Sequence, residues 1–496
     1  MEALLETDLI NYKRYWIHIL STLIILAVVI IVSDFIYHWR RRHTFKGIPL
    51  IHDGTWLSPH LQWGRSDFDW EKELQQAYQK YTKNGKPFAH TDPLGVGTIV
   101  VLPPQCGKEY SSLPRDHVSF DGIHDPTWKV GLDAVNAATR RSSLEFLVGV
   151  AAKELDRIIP QYISGGIAHN EWYTSSTTAL ISQITSELGH SLSIPANLKN
   201  NATLAKQLKI YLKGIEQQGF ARRSYPWILR PLMWYLLPIC RALRSSIAAT
   251  KNIIAPEIVN RLHEFELQGK GAKRDNAFLF DFLMEQAARD KKKGCAAHRK
   301  EYVEWVANEF LWLHFELIGP SPELLSFMVF HIMSQPQYVN PLREELAAAL
   351  QHCQGKWSFD MFDHTPLLES FTTEALRFYG VTYETGNRRV EKPLYLPSLG
   401  ITLEPGSYIC MPANLIHRDP EFYHNPDSFD GFRFYNAISG HNNSKRSIAS
   451  TTEYMPFGNY DLRKIEEDKP FYHFFFKGKF PNPEIEMSAK ARNMEK

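Results

Sequence analysis

Glu374 and Arg377 stand three residues apart in Glu374-Ala375-Leu376-Arg377, a spacing that puts a carboxylate and a guanidinium on one helix face. If shielded from water, the two can form a two-pronged, charge-assisted hydrogen bond. By itself the pair says little, because such pairs are more often solvent-facing salt bridges of small energetic value. It gains weight from the downstream run His417-Arg418-Asp419-Pro420, followed by Pro426, Phe429, Arg433 and Phe434. The five cysteines, Cys106, Cys240, Cys295, Cys353 and Cys410, are far apart and show no Cys-x-x-Cys spacing, so neither a zinc site nor a dithiol redox site is expected. Their scatter suits a reducing compartment, and beyond Cys410 the chain has no thiol to offer a metal.

The elements that would position these residues read as mostly helical. A helix over 68–81 ends in the turn Lys83-Asn84-Gly85-Lys86-Pro87, and 97–102 reads as a strand closed by Pro103-Pro104. Apolar residues recur at threes and fours over 177–188, 204–217, 243–265 and 278–288, with Pro256 expected to divide the third stretch. The apolar run punctuated by Trp227, Pro231, Trp234 and Pro238 has two readings: a core helix, which is favoured, and a surface that dips into lipid. The longest helical stretch, 302–334, is interrupted at Gly319-Pro320-Ser321-Pro322, where two missing backbone donors predict a kink. Helices over 339–350 and 367–378 and short strands over 394–396 and 407–411 follow.

Composition excludes several classes. With 44% hydrophobic and 22% charged residues, the 496-residue chain is neither a disordered protein nor a multispanning transporter. A net charge of +2 gives no field suited to nucleic acid, and Lys291-Lys292-Lys293 reads as a solvated loop. Residues 15–33 carry no formal charge, and as a helix they cover about 28 Å, close to the hydrocarbon thickness of a bilayer. Phe35, Tyr37, Trp39 and then Arg40-Arg41-Arg42 read as an interface and stop-transfer signal, with no cleavage site for a signal peptide. These arginines outweigh Lys13 and Arg14, so the body is expected on the cytosolic side, leaving the glycosylation patterns at Asn201 and Asn442 unmodified. The expected organisation is an anchor over 1–39, a basic, proline-containing connector over 40–50, and one large domain over 51–496.

Taken in order, Glu374-x-x-Arg377, His417-Arg418-Asp419-Pro420 and Pro426-x-x-Phe429-x-x-x-Arg433-Phe434 resemble the cytochrome P450 superfamily, in its fungal microsomal branch. Gln335-Pro336-Gln337-Tyr338, Leu342-Arg343-Glu344-Glu345-Leu346 and Leu403-Glu404-Pro405-Gly406-Ser407 fit the same order. The resemblance implies a mostly α fold with a small β portion, preceded by a single transmembrane helix, with heme b held between a long central helix and a proximal cysteine loop. It also implies a structural triad of Glu374, Arg377 and Arg433, in which two guanidiniums fork onto one buried carboxylate. The implied activity is that of a haem-thiolate monooxygenase at the endoplasmic reticulum, taking electrons from a separate NADPH-cytochrome P450 reductase. Its implied substrate is a small apolar secondary metabolite, a terpenoid, alkaloid or polyketide intermediate.

The pattern breaks where the iron would be held. The family's loop runs Phe-Gly-x-Gly-x-x-x-Cys-x-Gly, but Phe457-Gly458 is followed by Tyr460 at the second glycine, Lys464 at the ligand position and Glu466 at the last glycine. Neither a lysine nor a carboxylate donates as a thiolate does. The residues after Gly458 look like the family's final strands, so a block is absent between Gly458 and Asn459; a misplaced exon boundary and real degeneration each account for it. On the central helix the family's acid-threonine pair is replaced by Gly319-Pro320-Ser321-Pro322, which leaves Ser321 as the proton-relay candidate. Trp128 lacks the basic partner the family sets against a haem propionate, and Arg388 is the better candidate for that role. The alternatives are a catalytically inactive, haem-free P450-like membrane protein or a mis-spliced gene product, and a haem-free isomerase or cyclase to which no residue points.

Overall fold

A computed structural model describes residues 2–45, 47–51, 70–91, 98–114, 117–119, 141–163, 173–223, 225, 227–268, 278–289, 300–319, 321–380, 384–440, 451, 453–455 and 486–489. Its helices are α1 (Glu2–Thr44), α2 (Trp70–Lys80), α3 (Gly107–Ser111), α4 (Arg141–Ile163), α5 (Thr177–Ser193), α6 (Ala202–Arg223), α7 (Arg230–Leu236) and α8 (Pro238–Gln268). They continue with α9 (Phe278–Arg289), α10 (Lys300–Ile318), α11 (Ser321–Ser334), α12 (Val339–His352), α13 (Pro366–Tyr379), α14 (Ala413–His417) and α15 (Tyr435–Ser439). The strands are β1 (Leu50–Ile51), β2 (Phe88–Thr91), β3 (Thr98–Val101), β4 (Val118–Ser119), β5 (Tyr173–Ser176), β6 (Thr385–Val390), β7 (Leu394–Leu396), β8 (Ile401–Leu403), β9 (Tyr408–Met411) and β10 (Glu486–Ala489). The fold is predominantly helical with a small β component, as expected.

One sheet carries six strands in the order β1-β2-β3-β9-β6-β4, with β3 and β9 parallel and the β2–β3, β6–β9 and β4–β6 pairs antiparallel. Val100 and Ile409, each fully buried, sit in register at its centre. Phe45 and Ile48 join this core, so the chain leaving α1 is packed against the sheet rather than hanging free. A second core lies among α6, α8, α9 and α10, where Leu208, Ile254, Ile258, Leu283, Val306 and Phe310 meet. A third, smaller core packs Met328 of α11, Leu342 of α12 and Phe371 of α13 against Phe429.

Local chemistry explains where several helices start. Ser176 caps α5 by accepting from the Ala179 N–H, and Asn201 caps α6 by accepting from Leu204 N–H at 2.9 Å. The Asn201 side-chain oxygen of the glycosylation pattern is thus engaged by the backbone. Between α10 and α11 the helix breaks at Gly319, as the prolines on either side of Ser321 predict.

Two expectations are corrected. Pro256 does not divide its helix: α8 runs unbroken through it. Pro256 falls on the exposed side of α8, where the carbonyl it frees is open to water, while Ile254, Ile258 and Leu262 on the other side are fully buried and hold the helix in place. The run ending at Cys240 is not a core helix either. Pro231 and Pro238 confine it to a short 3-10 turn, Trp227–Leu229, and the two turns of α7. A segment that short buries only one side: Met233 points inward while Ile228, Leu232, Tyr235 and Leu236 are exposed. The 3-10 turn that carries Ile228 lies beside α1.

Within α1, residues His18–Tyr37 are long and apolar enough to cross a membrane, with a mean hydropathy of 2.8 and none of the segment buried. The helix continues past residue 39 to Thr44, so the expected junction between anchor and connector falls inside a continuous helix.

Candidate active-site scaffold

Helix α13 presents Glu374 and Arg377 on its inner face, and both side chains are fully buried. Arg377 Nε donates to Glu374 Oε2 at 2.7 Å and its Nη2 to Oε1 at 2.8 Å, the forked geometry anticipated from the spacing. Arg433 arrives from the loop after Pro426 and donates from Nε to Glu374 Oε2 at 3.0 Å, and the Asp430 N–H donates to Oε1 at 2.9 Å. One carboxylate therefore accepts four hydrogen bonds and faces two guanidiniums. The second positive charge is spread over backbone carbonyls: Arg377 Nη1 donates to His417 and Pro426, and Arg433 Nη2 donates to Ser428 at 2.9 Å. Glycine is required at position 431, because an added Cβ would stand 2.5 Å from the Phe371 ring packed under α13.

The same network fixes the chain just upstream of Phe457-Gly458. His417 is buried, and its Nε2 accepts from the Met455 N–H at 3.1 Å, which requires a neutral ring protonated on Nδ1. Burial, reinforced by the neighbouring Arg377 and Arg418 charges, pushes the His417 pKa down to about 3, so the ring stays neutral. Tyr454 stacks on His417, Tyr423 donates to the Glu453 carbonyl at 2.9 Å, and Thr385 donates to the Met455 carbonyl at 3.3 Å. Asp419 ties the segment to α2, accepting from Tyr78 at 2.8 Å and from Lys83 at 3.0 Å. The motif His417-Arg418-Asp419-Pro420 was visible in the sequence. The roles of His417 and Asp419 as holders of Met455 and α2 were not.

The other predicted residues lie elsewhere. Ser321 opens α11, and its hydroxyl donates to the Leu317 carbonyl at 3.2 Å. Arg388, on β6, is buried with its Nη1 on the Tyr110 carbonyl at 2.7 Å and its guanidinium over the Tyr110 ring. Trp128, Pro320, Phe457, Gly458, Tyr460, Lys464 and Glu466 lie outside the described residues.

The residues present do not fit a haem held by thiolate. Cys410 is fully buried in β9, in register with Val101; Cys106 lies 3.2 Å from the Ser398 hydroxyl; Cys240 is in the helical core, and Cys353 ends α12. Cys295 lies outside the described residues and, like the others, precedes Arg433 in the chain. Among the described residues no group of three or more His, Cys, Asp or Glu side chains is placed to hold a metal.

A mostly helical body with a small sheet, built around a buried carboxylate forked by two arginines, defines the class of scaffold. Residues 152–459 match the family model for cytochrome P450, and the chain belongs to that family. The chain is similar to cytochrome P450 monooxygenase cpsD of Aspergillus campestris, at 35% identity over 95% of this chain and 92% of that protein. It is also similar to cytochrome P450 monooxygenase afvE of Aspergillus flavus, at 32% identity over 77% of this chain and 82% of that one. Bicoumarin synthase desC of Aspergillus desertorum is 27% identical over 95% of this chain and 96% of its own. The alignments with cpsD and desC run over 510 and 516 positions, more than the 496 residues of this chain, so both relatives carry residues with no counterpart here. Family membership supports a haem-thiolate oxidase role for this lineage.

Proposed function

We propose that the intact product of this locus is a membrane-anchored haem-thiolate monooxygenase, and that the chain as it stands is its scaffold without the cysteine-bearing loop between Gly458 and Asn459. The observation that carries the reading is where the family-model match stops: at residue 459, shortly after residues 453–455, which His417, Tyr423 and Thr385 hold in place, while the relatives that cover 95% of the chain still align beyond it. The buried triad and the hydrogen bonds that hold residues 453–455 are kept, which favours loss of a block over degeneration of the whole scaffold. Glu374, Arg377 and Arg433 then serve as the architectural triad, Arg388 as a propionate partner and Ser321 as a proton relay.

The substrate is proposed to be a small apolar secondary metabolite, a terpenoid, alkaloid or polyketide intermediate; that one relative is a bicoumarin synthase supports an aromatic one. Electrons would come from an NADPH-cytochrome P450 reductase. Purified as it stands, the protein is expected to show no Soret absorption and no carbon monoxide difference band. Insertion after Gly458 of a segment that completes the family's Gly-x-x-x-Cys-x-Gly loop is expected to restore both. A thiolate-type band from the uninserted chain would overturn the proposal, as would a folded, loop-restored chain that takes up no haem.

The anchor is proposed to be α1, placing the body at the cytosolic face of the endoplasmic reticulum with the apolar surface of α7 against the lipid. Deleting residues 2–44 is expected to convert carbonate-resistant membrane association into weak, carbonate-sensitive binding through that surface. Unchanged carbonate resistance in a flotation assay would refute α1 as the anchor.

A further inference from the structure

A cleft of about 670 Å³ opens between α8 and the first turns of α10, away from the triad and the segment leading to Gly458. Its α8 wall is the stripe Arg244, Ile247, Lys251, Ala255 and Val259, at the threes and fours that share a helix face, and its α10 wall holds Lys300, Val303 and Glu304. Trp234 of α7 lines one end, and the same short helix, which follows the 3-10 turn beside α1, exposes Leu232, Tyr235 and Leu236. Three cations thus face one anion across apolar walls.

The cations are underused. Arg244 lies over the Tyr235 ring and donates from Nη2 to the Tyr235 carbonyl at 3.3 Å, but its buried Nε–H has no acceptor among the described residues. Lys251 is half-buried and makes no ion pair among the described residues; burial lowers its pKa, with only the more distant Glu304 opposing. Glu304 is held loosely by Lys300, at 3.8 Å. A buried donor without an acceptor is costly, and a half-buried amine in an apolar wall calls for an anion.

We propose that this cleft binds an anionic phospholipid drawn from the adjoining bilayer, with its phosphate on Arg244, Lys251 and Lys300 and the first acyl carbons along Trp234, Ile247 and Val259. The volume is in the range of small-ligand pockets, enough for a headgroup and part of a chain. The choice of a membrane lipid rests on the anchored reading above; the charge complementarity does not.

Native mass spectrometry of the full chain, released from micelles doped with phosphatidylserine or phosphatidylcholine, tests the site. One phosphatidylserine per protein is expected to be retained in preference to phosphatidylcholine, and Lys251→Gln to cut that preference about tenfold, the loss of one charge-assisted contact. Glu304→Gln removes the opposing charge and is expected to raise retention severalfold, a gain that misfolding cannot produce. Equal retention of the two lipids, indifference to both substitutions, or displacement of the lipid by equimolar inorganic phosphate would each overturn the proposal. Flotation of the full chain on phosphatidylcholine vesicles reads the anchor separately. Its failure with the phosphatidylserine preference intact would sink the anchor alone, and the reverse result the cleft alone.

Discussion

Glu374→Ala is expected to lower stability by about 3–5 kcal/mol, the usual cost of removing one partner from a buried ion pair. Both arginines lose their carboxylate at once: Arg377 is fully buried and Arg433 is only 13% exposed, so water cannot replace the missing charge. The Asp430 N–H is orphaned in the same step. Because proteins are stable by only about 5–15 kcal/mol, the variant should accumulate as aggregate or be cleaved rapidly within α13 and the 417–434 segment. Glu374→Gln keeps the shape and part of the hydrogen bonding while losing the charge, and should fall between the two. Limited proteolysis read by mass spectrometry checks the order; a Glu374→Ala chain as resistant as the parent would show that the triad does not hold the fold.

Acidification from pH 7 to 5 is expected to destabilise the body while most carboxylates are still ionised. Histidine titrates near 6.5 in the unfolded chain, whereas burial beside Arg377 and Arg418 takes His417 down to about 3 in the folded one. Between those values the unfolded state binds the proton and the folded state does not, so stability present above pH 6.5 is lost as pH falls through that window. For His417 alone this amounts to about 2 kcal/mol by pH 5. His314, fully buried on α10 beside His190, is held well below its ordinary value by burial and acts in the same direction, as does His331, pushed down to about 4. The Met455 N–H also loses its acceptor once His417 is protonated, so the segment before Phe457 should loosen first. Hydrogen exchange followed against pH should show the 453–455 amides deprotecting below about pH 6. Protection unchanged down to pH 4.5 would contradict the neutral, buried histidine.

Much of the scaffold was legible in the sequence, because the family's signals are local. Glu374-x-x-Arg377 lies on one helix, strands β3, β7 and β9 are short apolar runs bounded by proline or glycine, and the break before α11 is written in its prolines. What escaped depended on contacts the order of residues does not carry. Pro256 breaks nothing because it happens to face solvent, a matter of which side of α8 packs inward. The run around Trp234 has a core-like composition, yet two prolines leave it too short to bury both faces. Arg388 meets Tyr110 across 278 positions, and His417 meets Met455 across 38, pairings fixed by the sheet and by the loop after α13. The cleft joins a stripe on α8 to another on α10, and each alone reads as an ordinary polar helix face.

The central claim is that a thiolate-bearing segment belongs between Gly458 and Asn459, and the mature message decides it. Sequencing the transcript across those two codons should reveal a form that continues in frame through a Gly-x-x-x-Cys-x-Gly stretch before reaching Asn459. A message that passes directly from the Gly458 codon to that of Asn459 in every transcript would contradict the assignment and leave a P450 scaffold that carries no haem-thiolate chemistry.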